Sequence, residues 1–290
     1  MTENLDIESD NQAFPKQSQQ EPGLQSEMSP IPNDGFKEYV GSGRLKNQKA
    51  IITGGDSGIG RSVALAYARE GADIVLNYLP EEESDAKEVK KLVESLGQKI
   101  KLISGDLKDE SFSISLIEQA VQFFGDPTIL VLVAGKQQAQ TDIRNLSTKQ
   151  MIDTYATNVF SLVWLVKAAI PYLKNGSSII TTNSIQADSP SSFLVDYAGT
   201  KAAIKNMTKS LAKQLAPKGI RVNSVSPGPI WTPLQIVGGQ LPDNIPSFGQ
   251  DTLIGRAGQP AELAGAYVFL ASKDASYITG ESINVNGGKK

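Results

Sequence analysis

The sequence predicts an α/β fold: a doubly wound parallel sheet of seven strands in a single domain, with an extended arm before it. Three observations carry the prediction. From Arg44 onward, short apolar runs alternate with segments of helical periodicity. One strand–turn–helix junction, Ala50 to Arg61, is rich in glycine. Residues 1–43 differ in composition from everything that follows.

In residues 1–43, Gln12, Gln17, Gln19, Gln20 and Gln25 are interspersed with Pro15, Pro22, Pro30 and Pro32. Eight acids and two lysines give this arm a charge of about −6. The chain total is −3, so residues 44–290 are left with about +3, mildly favourable for a phosphate-bearing ligand. Such a composition buries no core of its own. The arm is therefore either a disordered extension or a segment anchored on the domain or on a neighbouring subunit. Phe14, Leu24, Met28, Ile31, Phe36 and Tyr39 are its candidate anchors.

The domain, 44–290, opens with an apolar strand from Ala50 to Ile52. The glycine turn follows, and then a helix beginning near Ser62. Asp73 to Tyr78 is a second strand, Glu81 to Leu96 a helix, and Lys101 to Ser104 a third strand. A helix from Asp109 to Phe124 stops at Gly125-Asp126-Pro127. The branched run Ile129 to Val133 reads as a central parallel strand. One long helix is expected over 148–173, then a strand at 178–182, a helix at 195–215 and a strand at 221–225. A Pro/Gly-rich excursion from Pro227 to about Gly258 precedes a helix at 261–270 and a last strand at 282–285.

Composition excludes several chemistries. With no cysteine there are no disulfides, thiolate nucleophiles or cysteine-held metals. With no histidine there is no Ser-His-Asp catalysis and no usual zinc constellation, and no metal site is expected. Acid–base work falls to Tyr, Lys, Asp or Glu. The near-neutral charge offers no field for nucleic acid or an anionic membrane. Neither a signal peptide nor a bilayer-length apolar run is evident, so a soluble cytoplasmic protein is expected.

In a doubly wound sheet, ligands bind beyond the carboxyl ends of the strands, and unusual residues gather there in this chain. Gly54 to Gly60 follow the first strand. Their glycines allow a tight turn and close backbone approach to a pyrophosphate, at a helix start with free N–H groups. The spacing is G-x-x-x-G-x-G rather than G-x-G-x-x-G. Asp106 follows the third strand, Ala134-Gly135 the fourth, Ser184 the fifth and Pro227-Gly228 the sixth. Tyr197 and Lys201 stand four residues apart on one helix face, so the ammonium can approach the phenol and lower its pKa from about 10. Ser184 lies 13 residues before Tyr197, able to point at the same site. Asn158 sits inside the long helix, where asparagine is a poor helix former.

These elements resemble, in order and spacing, the short-chain dehydrogenase/reductase family over essentially all of Arg44 to Gly288. The residues that carry the resemblance are Thr53-Gly54-x-x-x-Gly58-Ile59-Gly60, Asp106, Ala134-Gly135, Asn158, Ser184, Tyr197-x-x-x-Lys201 and Pro227 to Thr232. Pro22-Gly23 and Met28-Ser29-Pro30 are similar to a bacterial branch with an N-terminal extension, glucose-dehydrogenase-like or general oxidoreductases. The resemblance implies a Rossmann fold and an NAD(P)-dependent interconversion of an alcohol and a carbonyl. It implies Tyr197 as acid/base, Lys201 on the nicotinamide ribose, Ser184 on the substrate oxygen, and Asn158 holding a water through its backbone. Gly54, Asp56, Ser57, Gly58, Ile59, Gly60, Asn77, Tyr78, Asp106, Leu107, Ala134, Gly135, Tyr197, Lys201, Pro227, Gly228, Ile230 and Thr232 would contact the dinucleotide.

Family members usually carry Asn-Asn-Ala-Gly where this chain has Leu132-Val133-Ala134-Gly135, so lost bracing between adjacent strands is expected there. Neither a ribose-binding acid nor a phosphate-binding Arg occurs in Asn77-Tyr78-Leu79-Pro80. The uncharged Ser57 and the acids Glu81, Glu82 and Glu83 favour NAD, with NADP the alternative. The resemblance also implies a homo-oligomer, a tetramer paired through the helices bearing Leu162, Trp164, Leu165 and Ala168, and Ile204, Met207, Leu211 and Leu215. Two rivals stand beside this reading. One is a dinucleotide-binding sensor or scaffold without turnover. The other is a 3-oxoacyl-carrier-protein reductase, which would want a basic entrance, whereas Trp231 to Asp251 has no Lys or Arg.

Overall fold

A computed structural model describes residues 13–289. Residues 1–12, Gln12 of the arm among them, and Lys290 lie outside the described residues. Seven strands form one parallel sheet: β1 (Lys49–Thr53), β2 (Asp73–Tyr78), β3 (Ile100–Ser104), β4 (Ile129–Leu132), β5 (Ser178–Thr182), β6 (Arg221–Pro227) and β7 (Ser282–Val285). Their order is β3-β2-β1-β4-β5-β6-β7, so the direction of winding reverses between β1 and β4, where Thr53 stands opposite Leu132. This reversal opens a crevice at the strands' carboxyl ends.

The central strands are buried on both faces, which is why they read as unbroken apolar runs rather than alternating ones. On one face lie α1 (Gly58–Arg69), α2 (Glu83–Ser95) and, late in the chain, α7 (Ala261–Ala271), packed over Ile52, Ile74, Leu76 and Val131. The other face carries α3 (Glu110–Phe124) and the helices between β4 and β6, over Ile51, Val75, Leu130 and Ile179.

The long helix expected over 148–173 departs from regularity. It is built as α4 (Thr148–Tyr155), one wide π turn (Ala156–Phe160) and α5 (Ser161–Ala169). The buried Asn158 sits in the wide turn, and its side chain is spent on neighbours outside the helix. Single π turns of this kind gather at functional sites. The helix after β5, α6 (Val195–Leu215), is regular over its 21 residues. Among the described residues, no helix is long and apolar enough to cross a membrane.

From Phe14 onward the arm lies on the domain. The Phe14 ring stacks on Trp231, centroids 3.8 Å apart, and the Trp231 indole N–H donates to the Pro30 carbonyl at 2.9 Å. Met28 joins Trp231, Ile236 and Ile245 in a small third core. Further along, Arg61 pairs with Asp34 at 2.7 Å. The buried Glu70 carboxylate accepts from the Tyr39 hydroxyl and from the Ser42 and Arg44 amides, so the described part of the arm is held at both ends.

Candidate active site

Two adjoining cavities run along the carboxyl ends of the strands. The first, about 550 Å³, is lined by Ser184, Tyr197, Lys201, Pro227, Gly228, Ile230 and Thr232, and by residues of 186–194 and 229–251. The second, about 210 Å³, is lined by Gly54, Asp56 to Gly60, Asn77, Tyr78, Asp106, Leu107, Ala134 and Gly135. Ile59, Val133, Gly135, Gln137, Thr232 and Leu234 face both, so the two make one trough across the crevice.

At the second cavity, two positions in the turn after β1 can only be glycine. A Cβ on Gly60 would lie 1.9 Å from the Gly54 carbonyl oxygen, and Gly54 (φ +59°) would bring one to 3.0 Å from Ala134 Cα. The Ser57 side chain does not cap α1, so the first-turn amides of Ile59 and Gly60 face the cavity as donors. This cradle fits a pyrophosphate. Beside it, Asp56 is buried with Oδ2 unpartnered, and burial raises its pKa. Glu82 is raised further, by burial and then by the Asp56 carboxylate. The Asn77 side chain faces β3, donating to the Ile103 and Gly105 carbonyls at 3.3 and 3.1 Å, and so braces two strand ends. Tyr78 donates its hydroxyl to Glu83. Asp106 accepts from the Lys108 amide at 2.9 Å and pairs with its ammonium.

The turn after β4 is braced, although Leu132-Val133 replaces the asparagines. The Thr53 hydroxyl oxygen accepts from the Val133 and Ala134 amides at 3.1 and 3.2 Å, across the β1–β4 seam. The expected loss of bracing is thus met by a side chain at the end of β1. Leu132 itself packs against the apolar core on the α3 face.

Around the first cavity, α6 carries Tyr197 and Lys201 on one face, and the end of β5 presents Ser184. Ser184 and Tyr197 line the same cavity, and Ser184 Oγ accepts from the Gln186 amide at 3.2 Å. The Lys201 amine lies 5.4 Å from the centre of the Tyr197 ring and donates to the Thr182 carbonyl at 2.9 Å. Tyr197 does not have the lowered pKa that the four-residue spacing suggested. Burial pushes it up to about 12, with the Ser184 hydroxyl pulling slightly the other way. Burial also brings Lys201 down to about 8. Spacing along a helix reports proximity, but desolvation of the completed cavity is the larger effect here.

Asn158 lies behind the cavity wall. Its side chain accepts from the Lys136 amide at 2.7 Å, and donates to the Lys136 carbonyl at 2.9 Å and to Thr200 Oγ1 at 3.0 Å. Thr200 in turn donates to the Tyr197 carbonyl at 2.6 Å. The asparagine therefore ties the turn after β4 to the helix that carries the tyrosine. Every site residue expected from the sequence lies on this trough or directly behind it. Sequence reasoning missed Thr182 and Thr200, and it quoted Thr53 in the glycine motif without its bracing role; their hydroxyls or carbonyls matter only once strands and helices meet. It also missed Glu21 and Pro22 of the arm, which line the second cavity.

Comparison with known proteins agrees with this architecture. The family model described as Enoyl-(Acyl carrier protein) reductase matches residues 54–290. An uncharacterized oxidoreductase of Escherichia coli, YghA, is 59% identical over 276 residues, covering 95% of this chain and 94% of its own. Glucose and ribitol dehydrogenase homolog 2 of Arabidopsis thaliana is 41% identical over 282 residues, covering 95% and 97%. The crystal structure of a short-chain dehydrogenase from Burkholderia cenocepacia in complex with NADP superposes with a TM-score of 0.79 at 30% identity, covering 84% of this chain and 98% of that one. The chain belongs to the short-chain dehydrogenase/reductase family. It is an oxidoreductase of that family, acting on CH–OH groups.

Proposed function

We propose that the protein interconverts an alcohol and a carbonyl compound using a nicotinamide dinucleotide, with Tyr197 as the acid/base. The observation that carries this is the convergence of Ser184, Tyr197 and Lys201 on one cavity wall, next to a glycine cradle in the same trough. The dinucleotide, when bound, supplies or takes up the hydride. In the reducing direction, the Ser184 and Tyr197 hydroxyls hold the substrate oxygen. Tyr197 passes its proton to that oxygen, and the Lys201 ammonium offsets the charge left on the phenolate. Asn158 positions this group by joining α6 to the turn after β4.

NAD is the better fit of the two dinucleotides. Asp56, Glu82, Asp106 and Glu21 line the second cavity, while its lysines are engaged, Lys108 with Asp106 and Lys136 with Glu21. A 2′-phosphate would meet carboxylates rather than a free guanidinium. Two structural neighbours carry the other cofactor, the Burkholderia protein NADP and a metagenomic blue fluorescent protein NADPH, so NADP remains the alternative.

For the substrate, Gln137, Gln186, Gln235, Gln240 and Asn244 line the first cavity, and amides suit an uncharged, hydroxyl-rich molecule. The names of the plant glucose and ribitol dehydrogenase homologs support the same class. An acyl-carrier substrate is disfavoured, because residues 231–251 offer no cation to an acidic carrier. The test is a screen of polyols, aldoses and acyl thioesters with both dinucleotides. Higher kcat/KM with NAD on a polyol or sugar is expected. Higher kcat/KM with NADP overturns the cofactor reading, and turnover of acyl thioesters alone overturns the substrate reading.

A further inference from the structure

We propose that Gln25, a residue of the N-terminal arm, is a positioning residue of the dinucleotide site: its side chain holds the glycine turn in the form that receives a pyrophosphate. The inference rests on the dinucleotide reading above. Gln25 is 2% exposed, whereas the neighbouring arm glutamines Gln17 and Gln19 are half-buried and Gln20 is exposed. Its Oε1 accepts from the Gly58 amide at 2.7 Å, and its backbone N–H donates to Asp85 Oδ2 at 2.6 Å. Gly58 opens α1 and Asp85 lies in the first turn of α2. One arm residue thus joins the starts of the two helices that follow β1 and β2.

The arrangement divides the labour of the turn. Gln25 is not on the cavity wall, whereas Gly58, Ile59 and Gly60 are. The Gly58 amide is taken from behind, and its neighbours are left to face an anion. Gly58 is at φ +50°, and a Cβ there would come within 2.9 Å of Thr232 Cγ2, so this position takes only glycine. Four residues upstream, Glu21 pairs with Lys136, next to Ala134-Gly135, so the arm is attached to both turns that flank the crevice.

The test is calorimetric titration of the full-length protein with NAD and with NADP, in the wild type, Gln25→Met and Tyr39→Phe. Methionine keeps the length of the side chain and removes the acceptor. A dissociation constant raised about tenfold is expected, with kcat at saturating dinucleotide and KM for the alcohol within about twofold of wild type. Tyr39→Phe loosens the far end of the arm at Glu70 and should leave the constant within about twofold. Hydrogen exchange at the Gly58 amide should be slow in the wild type before dinucleotide is added and faster in Gln25→Met. The inference is overturned if wild type and Gln25→Met bind alike, or if Tyr39→Phe weakens binding as much. If Gln25→Met does not fold, Gly58 exchange in the wild type decides, and unprotected exchange overturns the inference. A wild type that binds neither dinucleotide instead brings down the functional reading itself.

Discussion

At the scale of residues, Tyr197 and Lys201 are shaped by the same burial, which acts on them in opposite directions. A phenol pushed up to about 12 stays protonated at neutral pH and is ready to give its proton to a carbonyl oxygen. Tyr197→Phe should lower turnover by about 10²–10⁴ and leave the calorimetric dinucleotide affinity unchanged, since only the proton-transfer group is removed. The lysine sets a pH limit. Its pKa is brought down to about 8, so the ammonium is present below that pH and lost above it. Carbonyl reduction should hold steady below about pH 8 and fall above it, while alcohol oxidation, which needs the phenolate, should rise with pH. A pH profile of kcat in both directions checks this, and a reduction rate that climbs past pH 9 would contradict it.

Elements show how much of the fold was legible. The central strands stood out because they are apolar runs buried on both faces, whereas β3 and β7 at the sheet edges are only partly buried; β2 and β5 begin and end where their residues suggested. The π turn at Asn158 was not legible. A single asparagine in a helix hints at irregularity, but its cause is Lys136 and Thr200, 22 and 42 residues away. Thr53 teaches the same lesson, since its two acceptor contacts exist only because β4 pairs with β1. Thr53→Val keeps the shape and leaves two amides without their acceptor. A loss of about 1–3 kcal/mol is expected in denaturant unfolding, with weaker dinucleotide binding. A variant as stable as wild type would show that the turn after β4 is held by other means.

The whole molecule raises the question of partners. Of the helix residues suggested for subunit pairing, Leu162, Leu165, Ile204 and Leu215 are fully buried in the domain's own core. Phe160 and Val163, by contrast, are exposed, and Phe160 packs near Tyr155 and Trp164 to form an aromatic ridge along α4 and α5. Such a ridge supports association through this face. Analytical ultracentrifugation at micromolar concentration should find a dimer or tetramer, and Phe160→Glu should shift it to a smaller species. A wild-type monomer would refute the pairing. The arm is the part of the molecule least visible in its residues. Its composition is that of a solvated tail, and Gln25 is indistinguishable there from Gln19 or Gln20 until the starts of α1 and α2 are in place beside it.

The Phe14 and Pro30 contacts to Trp231 bear on the order of assembly. The indole that donates to the Pro30 carbonyl lies 201 residues further along the chain, and the partner of Lys16, Asp243, lies 227 residues further. On a ribosome, the arm precedes the domain, and its seat at Trp231 and Asp243 is absent until residues 231–243 emerge. Contacts of such separation are slow to close and form after the local ones. The Phe14 end of the arm therefore docks late, whereas Gln25 has its partners Gly58 and Asp85 only 33 and 60 residues further on and can support the glycine turn well before that seat exists.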